Sequence, residues 1–264
     1  MQRLSVSHLL DERTSNQSEI LVEAAVDTLR SAIIADRAGA SRVELCANLN
    51  DGGTTPSTGL IGAVRARIRI PAFVLIRPRG GGFVYSHDDM AVMSRDVEVA
   101  RGEGADGIVT GALDAHGRVD IAMIAQLTEA ARELPVSFHR AFDATPDLAQ
   151  ALEMLIGAGV SRVLTSGGAA TALEGVATIA RLVDQARGRI AVMAGGGIRE
   201  HNVREVIART GVSEVHARIG SVSHSATEGS SRALRLRKPF PENENVWEEL
   251  DEMRMRALIG LAQP

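Results

Sequence analysis

From Ile20 onward the chain repeats one pattern: a short apolar run, a turn, then a stretch with apolar residues at three- and four-residue spacing. The strand-like runs fall at residues 20–26, 42–46, 72–77, 107–110, 136–139, 162–165, 190–194 and 214–216. Helical stretches lie between or after them at 27–38, 57–67, 88–102, 120–133, 146–158, 172–187 and 200–210. Gly39, Gly104, Gly159 and Gly211 stand where a helix hands over to the next strand, and a glycine there supplies a left-handed cap. Eight strands alternating with helices predict an α/β chain folded as a (β/α)8 TIM barrel with an extra C-terminal helix. A doubly wound sheet would place glycines in the first turn, whereas Glu23-Ala-Ala-Val-Asp27 has none.

The repeat assigns residues 19–220 to the barrel and leaves both ends outside it. Residues 1–18 read as a disordered polar tail without the apolar run of a signal peptide. Residues 221–264 read as a mobile segment, rich in Ser, Gly and Thr over 221–231, followed by a helix over 245–261. That helix would carry Trp247, Leu250, Met253, Leu258 and Leu261 on its apolar face and pack on the barrel or a partner subunit. No apolar run approaches the roughly 18 residues that span a bilayer, so the expected location is cytoplasmic.

Composition narrows the partners. A net charge of −4 and only 3% aromatic residues give no basic field and few stacking platforms, so neither nucleic acid nor membrane is expected. Cys46 is the single cysteine, which excludes an internal disulfide and an all-cysteine metal site. A small-molecule or metal ligand remains.

In a closed parallel barrel alternate strand residues point inward, and the C-terminal strand ends surround the site. Alternation then gathers Glu23, Glu44, Arg77, His139, Thr165 and His216 into one polar ring near the mouth. Glu23, Glu44 and His139 are the candidate general acid or base groups. Arg77, Arg79, Arg140, Asp143 and His216 are candidates for gripping an anion, with Arg77 and Arg79 on a glycine-rich third turn. Thr165-Ser-Gly-Gly168 and Ala194-Gly-Gly-Gly-Ile198 follow the sixth and seventh strands, placing Ser166, Gly167, Gly196 and Gly197 where such barrels bind phosphate. Each of these groups, taken singly, is equally well read as structural. Their convergence from separate strands favours a site.

Seven motifs carry a resemblance. They are Glu23-x-x-Val-Asp27, Arg42-Val-Glu-Leu-Cys-Ala47, Gly52-Gly-Thr-Thr-Pro-Ser57, Ile76-Arg-Pro-Arg-Gly-Gly81, His139-Arg-Ala-Phe-Asp143, Leu164-Thr-Ser-Gly167 and Met193-Ala-Gly-Gly-Gly197. In this order the chain resembles the CutC copper-homeostasis family. The resemblance implies a barrel, a cytoplasmic location, a homodimer or other homo-oligomer, and a role in copper handling. Copper is thereby the one implied cofactor, and Cys46 and Met193 are its candidate soft ligands, with His139 or His216 as companions. The family pattern Glu-Val-Cys-Val-Asp has Ala25 at its cysteine position here. Two readings stay open: a copper-binding protein, or an isomerase, lyase or hydrolase acting on a small anionic or phosphorylated metabolite.

Overall fold

The computed structural model describes residues 19–224 and 246–264. Strands β1 (Leu21–Val26), β2 (Arg42–Leu45), β3 (Ala72–Leu75), β4 (Gly107–Thr110), β5 (Val136–Phe138), β6 (Arg162–Thr165), β7 (Ala191–Ala194) and β8 (Glu214–Ala217) form a closed barrel in chain order. Every pairing is parallel, and β8 returns to β1 with Glu23 opposite His216. The eight strands and their order are as the repeat predicts.

Between the strands lie helices α1 (Leu29–Ala38), α2 (Thr58–Arg65), α3 (His87–Gly102), α4 (Ile121–Ala131), α5 (Leu148–Gly157), α6 (Val176–Ala186) and α7 (Val203–Thr210). All but α3 start later or stop earlier than apolar spacing alone suggests. Capping residues set several of the starts. Thr28, Ser57, Ser86, Asp120 and Asp147 each accept a hydrogen bond from a backbone N–H in the first turn, so each helix begins just after its cap. Gly39, Gly104, Gly159 and Gly211 all have positive φ, between 71° and 86°.

The C-terminal part departs from expectation. Residues 245–261 are not one helix: Val246–Leu250 is strand β10, antiparallel to β9 (Gly220–His224), and only Glu252–Ala262 forms helix α8. Asp251 caps that helix by accepting from Arg254 N–H. The later start rotates the buried face onto Met255, Leu258 and Ala262, leaving Met253 80% and Trp247 41% exposed. Leu250 is buried and its N–H donates to Ser31 Oγ of α1. The Ser/Gly/Thr-rich stretch expected to be mobile starts as strand β9, while residues 1–18 and 225–231 lie outside the described residues. Among the described residues no helix is long and apolar enough to cross a membrane.

Two apolar layers result. Outward strand residues such as Val22, Val43, Val74 and Ile108 pack under the helices, whereas Cys46, Phe73, Leu75 and Val109 form a smaller cluster inside the barrel. Beneath that cluster lies a layer of charge. Arg42 pairs with both Glu23 and Glu214, and Glu214 also binds Arg162. Both guanidinium groups lie against the Phe73 ring, at 5.5 and 5.4 Å from its centroid. Gly107 on β4 makes room for that ring, because a Cβ there would meet it at 2.6 Å.

Two carboxylates and two guanidiniums in this layer cancel, and each keeps a hydrogen-bonded partner. Removing one member of such a pair strands a buried charge. Arg42→Met is therefore expected to cost about 3–5 kcal/mol of unfolding free energy, read by urea denaturation. A cost within error of zero would show that the layer does not hold the barrel together.

Candidate functional site

Above the charged layer the barrel opens into a cavity of about 310 Å³ at the C-terminal strand ends. Glu44, Cys46, Arg77, His139, Arg140, Gly196, Gly197 and His216 line it, as the sequence predicts. Arg199 and Arg218 line it as well. Sequence alternation could have found Arg218, two residues beyond His216 on the same face. Arg199 follows the glycine run in a loop, where period-two reasoning has no purchase.

Glu23 and Glu44 differ sharply although they are neighbours. Glu23 is 1% exposed and sits between Arg42 and His216, whose Nδ1 lies 2.8 Å from its Oε1. Burial works against its charge, but the His216 hydrogen bond and the Arg42 charge outweigh burial and hold its pKa near 2. Glu44 has no such support. Its carboxyl has one close polar neighbour among the described residues, His216 Nε2 at 3.5 Å. Burial, reinforced by the Glu23 charge, pushes it up to about 7 despite His216 and Arg42.

His216 joins the two carboxylates. Burial disfavours its charged form, yet the Glu23 hydrogen bond and the two carboxylates win and raise its pKa. With Glu23 ionised, His216 Nδ1–H donates to it, and Nε2 faces the Glu44 carboxyl at 3.5 Å.

His139 sits in a different setting from His216. Ala141 N–H donates to Nδ1 at 3.1 Å, while Nε2 is buried without a partner among the described residues. Burial, then the charge of Arg77, drops its pKa to about 3. A neutral imidazole that accepts at Nδ1 carries its proton on Nε2. At neutral pH the His139 imidazole is thus uncharged with a hydrogen-bond donor at Nε2, which bears on the general acid or base role expected of it.

The arginines divide their work. Arg77 Nη1 donates to the Asp51 and Gly53 carbonyls and Nη2 to that of Gly81. It therefore braces two loops while leaving its positive charge at the cavity with no carboxylate partner among the described residues. Arg79 does not reach the mouth; it donates to the carbonyls of Gly80, Gly82 and Val84 and pairs with Asp89, so its expected anion contact is corrected. Arg140 Nε pairs with Asp143 and Nη2 donates to Ser166 Oγ at 2.7 Å, and Nη1 has no hydrogen-bond partner among the described residues.

Several other expected contacts are structural. Asp143 does not line the cavity; it accepts from Thr165 Oγ1, Ser166 N–H and Gly168 N–H as well as from Arg140. Ser166 Oγ is shared among Arg140, Asp143 and the Ala169 carbonyl, and Gly167 N–H is taken by Thr165 Oγ1. Neither of these lines the cavity. Thr165 faces outward, because on β6 it is Arg162 and Leu164 that point inward, to Glu214 and to the mouth. By contrast the N–H groups of Gly196, Gly197 and Ile198 have no hydrogen-bond partner among the described residues, and all three residues line the cavity. Gly196 and Gly197 have φ of +96° and +73°, a conformation that lets consecutive N–H groups serve an anion.

The expected soft copper pair is not assembled. Met193 Sδ lies 3.1 Å from Arg42 Nη2 in the charged layer and does not line the cavity. Cys46 lines it, but burial and then the Glu44 carboxylate push its thiol well above the usual range, away from the thiolate that binds copper(I). The donor atoms of Glu23, Glu44 and His216 do lie within 4.8 Å of one another. They are oxygen and nitrogen donors, and both Glu23 oxygens are already engaged. This set does not fit copper(I).

Glu44 also gives a pH signature. Its folded pKa is raised, so the stability associated with the protonated carboxyl is fully present below its ordinary value of 4.5 and is lost as pH rises through about 7. Relative to wild type, Glu44→Gln is expected to gain stability between those two pH values and to hold the gain above them. Urea denaturation at stepped pH reads this. A difference independent of pH would refute the assignment.

A family model described as the CutC family matches residues 20–221. A human protein named "Copper homeostasis protein cutC homolog" is 42% identical over 243 residues, covering 92% of this chain and 89% of that protein. A Xanthomonas axonopodis pv. citri protein named as a family protein CutC is 52% identical over 196 residues, 74% of this chain and 82% of its own. The crystal structure of a putative copper homeostasis protein CutC from Streptococcus agalactiae superposes with a TM-score of 0.71 at 36% identity, covering 75% of this chain and 97% of that one. N-(5'-phosphoribosyl)anthranilate isomerase from Pyrococcus furiosus matches at a TM-score of 0.53 and 13% identity over 92% of this chain and 98% of that one, a likeness of fold alone.

Proposed function

Since this chain belongs to the CutC family, we propose that it serves copper homeostasis through an enzyme-like site, where acid–base chemistry acts on a small anionic or phosphorylated metabolite. One observation carries this reading: a single buried carboxyl poised at about 7 faces a cavity ringed by four guanidinium groups. Those groups are Arg77, Arg140, Arg199 and Arg218, and of these Arg77 and Arg199 make no ion pair among the described residues. Such a field concentrates an anion although the whole chain is acidic.

The roles follow from placement. Glu44 takes or gives a proton near neutral pH, where a group of pKa about 7 is most effective. His216 shares that proton, and Glu23 stays ionised and orients the imidazole through Nδ1. Arg140 Nη1 and the N–H groups of Gly196, Gly197 and Ile198 hold the anionic group. Isomerisation, lysis and hydrolysis all use such a set. The cytoplasmic setting, the homodimeric or other homo-oligomeric state and the division of the chain at about residue 220 remain parts of this proposal, supported by the family resemblance and by the place where the barrel ends.

Direct copper binding by Cys46 and Met193 is not part of the reading, because their sulfur atoms serve different layers. In this proposal the chain's part in copper homeostasis runs through the metabolite.

Inorganic phosphate is expected to raise the melting temperature, and Arg140→Met or Arg199→Met to weaken its binding by about tenfold, measured calorimetrically. No stabilisation by phosphate or by any small phosphate ester would end the anion assignment. In a companion titration against a competing copper(I) chelator, Cys46→Ala is expected to match the unmutated protein. Tight copper(I) binding that disappears with Cys46 would restore the metal reading instead.

A further inference from the structure

The acid–base reading gives no role to one buried group, the His139 imidazole. Its ring is 7% exposed and lines the cavity. Its tautomer is fixed by the backbone, since Ala141 N–H occupies Nδ1 and Nε2 must keep the proton. That N–H has no acceptor among the described residues, and a buried donor without a partner costs about 1–3 kcal/mol. The fold nevertheless makes space for this ring. Gly111, next to the end of β4, would place a Cβ 2.5 Å from it, so a side chain there is incompatible with the imidazole as it stands.

The surroundings keep the ring uncharged. Arg77 stacks on Phe83 at 5.3 Å, and Phe83 on His139 at 5.0 Å. No carboxylate forms an ion pair with the imidazole among the described residues, and the charge that acts on it is that of Arg77. Phe83 lines the cavity beside the imidazole.

From these contacts we propose that His139 Nε2–H is an electrophilic donor to a carbonyl oxygen, so that the substrate is a small phosphorylated aldehyde or ketone enolised between His139 and Glu44. This rests on the acid–base reading and specifies its substrate class. In the step, the Glu44 carboxylate removes a proton from the carbon next to the carbonyl. The C–H pair becomes the C=C bond, and the carbonyl π pair moves to oxygen. His139 Nε2–H stabilises the resulting enolate by a hydrogen bond without transferring its own proton. Where the deprotonated carbon bears a hydroxyl, its O–H proton passes directly to the neighbouring enolate oxygen of the enediolate. Return of the Glu44 proton to the former carbonyl carbon then completes an aldehyde–ketone isomerisation that needs no other reactant. A neutral imidazole suits this role because its N–H is an available donor with no competing charge.

The test uses the full chain, labelled with ¹⁵N, and two probes, inorganic phosphate and 2-phosphoglycolate, whose carboxylate stands in for the enolate oxygens. Long-range ¹H–¹⁵N spectra are expected to show His139 protonated at Nε2 and constant from about pH 5 to 8. A resonance that titrates in this window, or a proton on Nδ1, overturns the proposal. Phosphoglycolate is expected to shift the Nε2–H proton downfield. His139→Leu is expected to weaken phosphoglycolate at least about tenfold, while His139→Gln, which keeps a donor, stays within a few-fold of wild type. Phosphate affinity is expected to be unchanged in both variants, which also reports that they fold. Phosphate bound normally with phosphoglycolate unaffected by His139→Leu, or not bound at all, overturns the donor role and spares the acid–base site. Loss of both probes from the unmutated protein overturns the anion site itself.

Discussion

The site rests on the pairing of Arg42 with Glu23 and Glu214 inside the barrel. A barrel interior is a packed core, and charges placed there must neutralise one another. Here they do so in an ordered column. Arg162 and Arg42 share Glu214, Arg42 passes to Glu23, Glu23 to His216, and His216 faces Glu44 at the cavity. Each member except the last is held by a partner of opposite charge. Glu44 is where the column runs out of compensation, and that is why one carboxyl of this barrel retains its proton near neutrality.

The walls of the cavity add a second constraint. Arg77 donates to three carbonyls rather than to an acid among the described residues, which fixes two loops and leaves its field directed at the cavity. The same field, together with burial, keeps His139 neutral. Two imidazoles in one mouth are thereby driven in opposite directions: His216 toward charge by Glu23 and Glu44, His139 away from it by desolvation and Arg77. Unlike environments for like groups are how a site separates proton transfer from polarisation.

Much of this architecture was legible in sequence because it follows from periodicity. Strand order, the glycine caps and the mouth positions of Glu44, His139 and His216 all come from alternation along short apolar runs. Alternation failed where the start of a run sets the phase. Strand β6 opens on Arg162, a charged residue that reads as exterior but points inward to Glu214, which turns Thr165 outward. It failed too where the chain leaves the strand: Asp143, Ser166 and Arg79 look like ligand contacts in the sequence, yet each is consumed by loop backbone and neighbouring side chains. The tail misled for a related reason, since apolar spacing over 245–261 fits a helix but Val246–Leu250 pairs with β9.

The protonation of His139 was beyond any pattern, because it depends on the Ala141 N–H that a turn after β5 brings back to Nδ1. That contact fixes which ring nitrogen of this histidine carries the proton, without changing its position. The same reasoning bears on copper. A cysteine and a methionine in the sequence suggest soft ligands, but a ligand set exists only where donor atoms converge with their protons removed. Cys46 is held as a thiol by burial beside Glu44, and Met193 lies against a guanidinium one layer down. The groups that do converge, Glu23, Glu44 and His216, are oxygen and nitrogen donors, a set that suits the proposed acid–base chemistry better than a copper(I) cage.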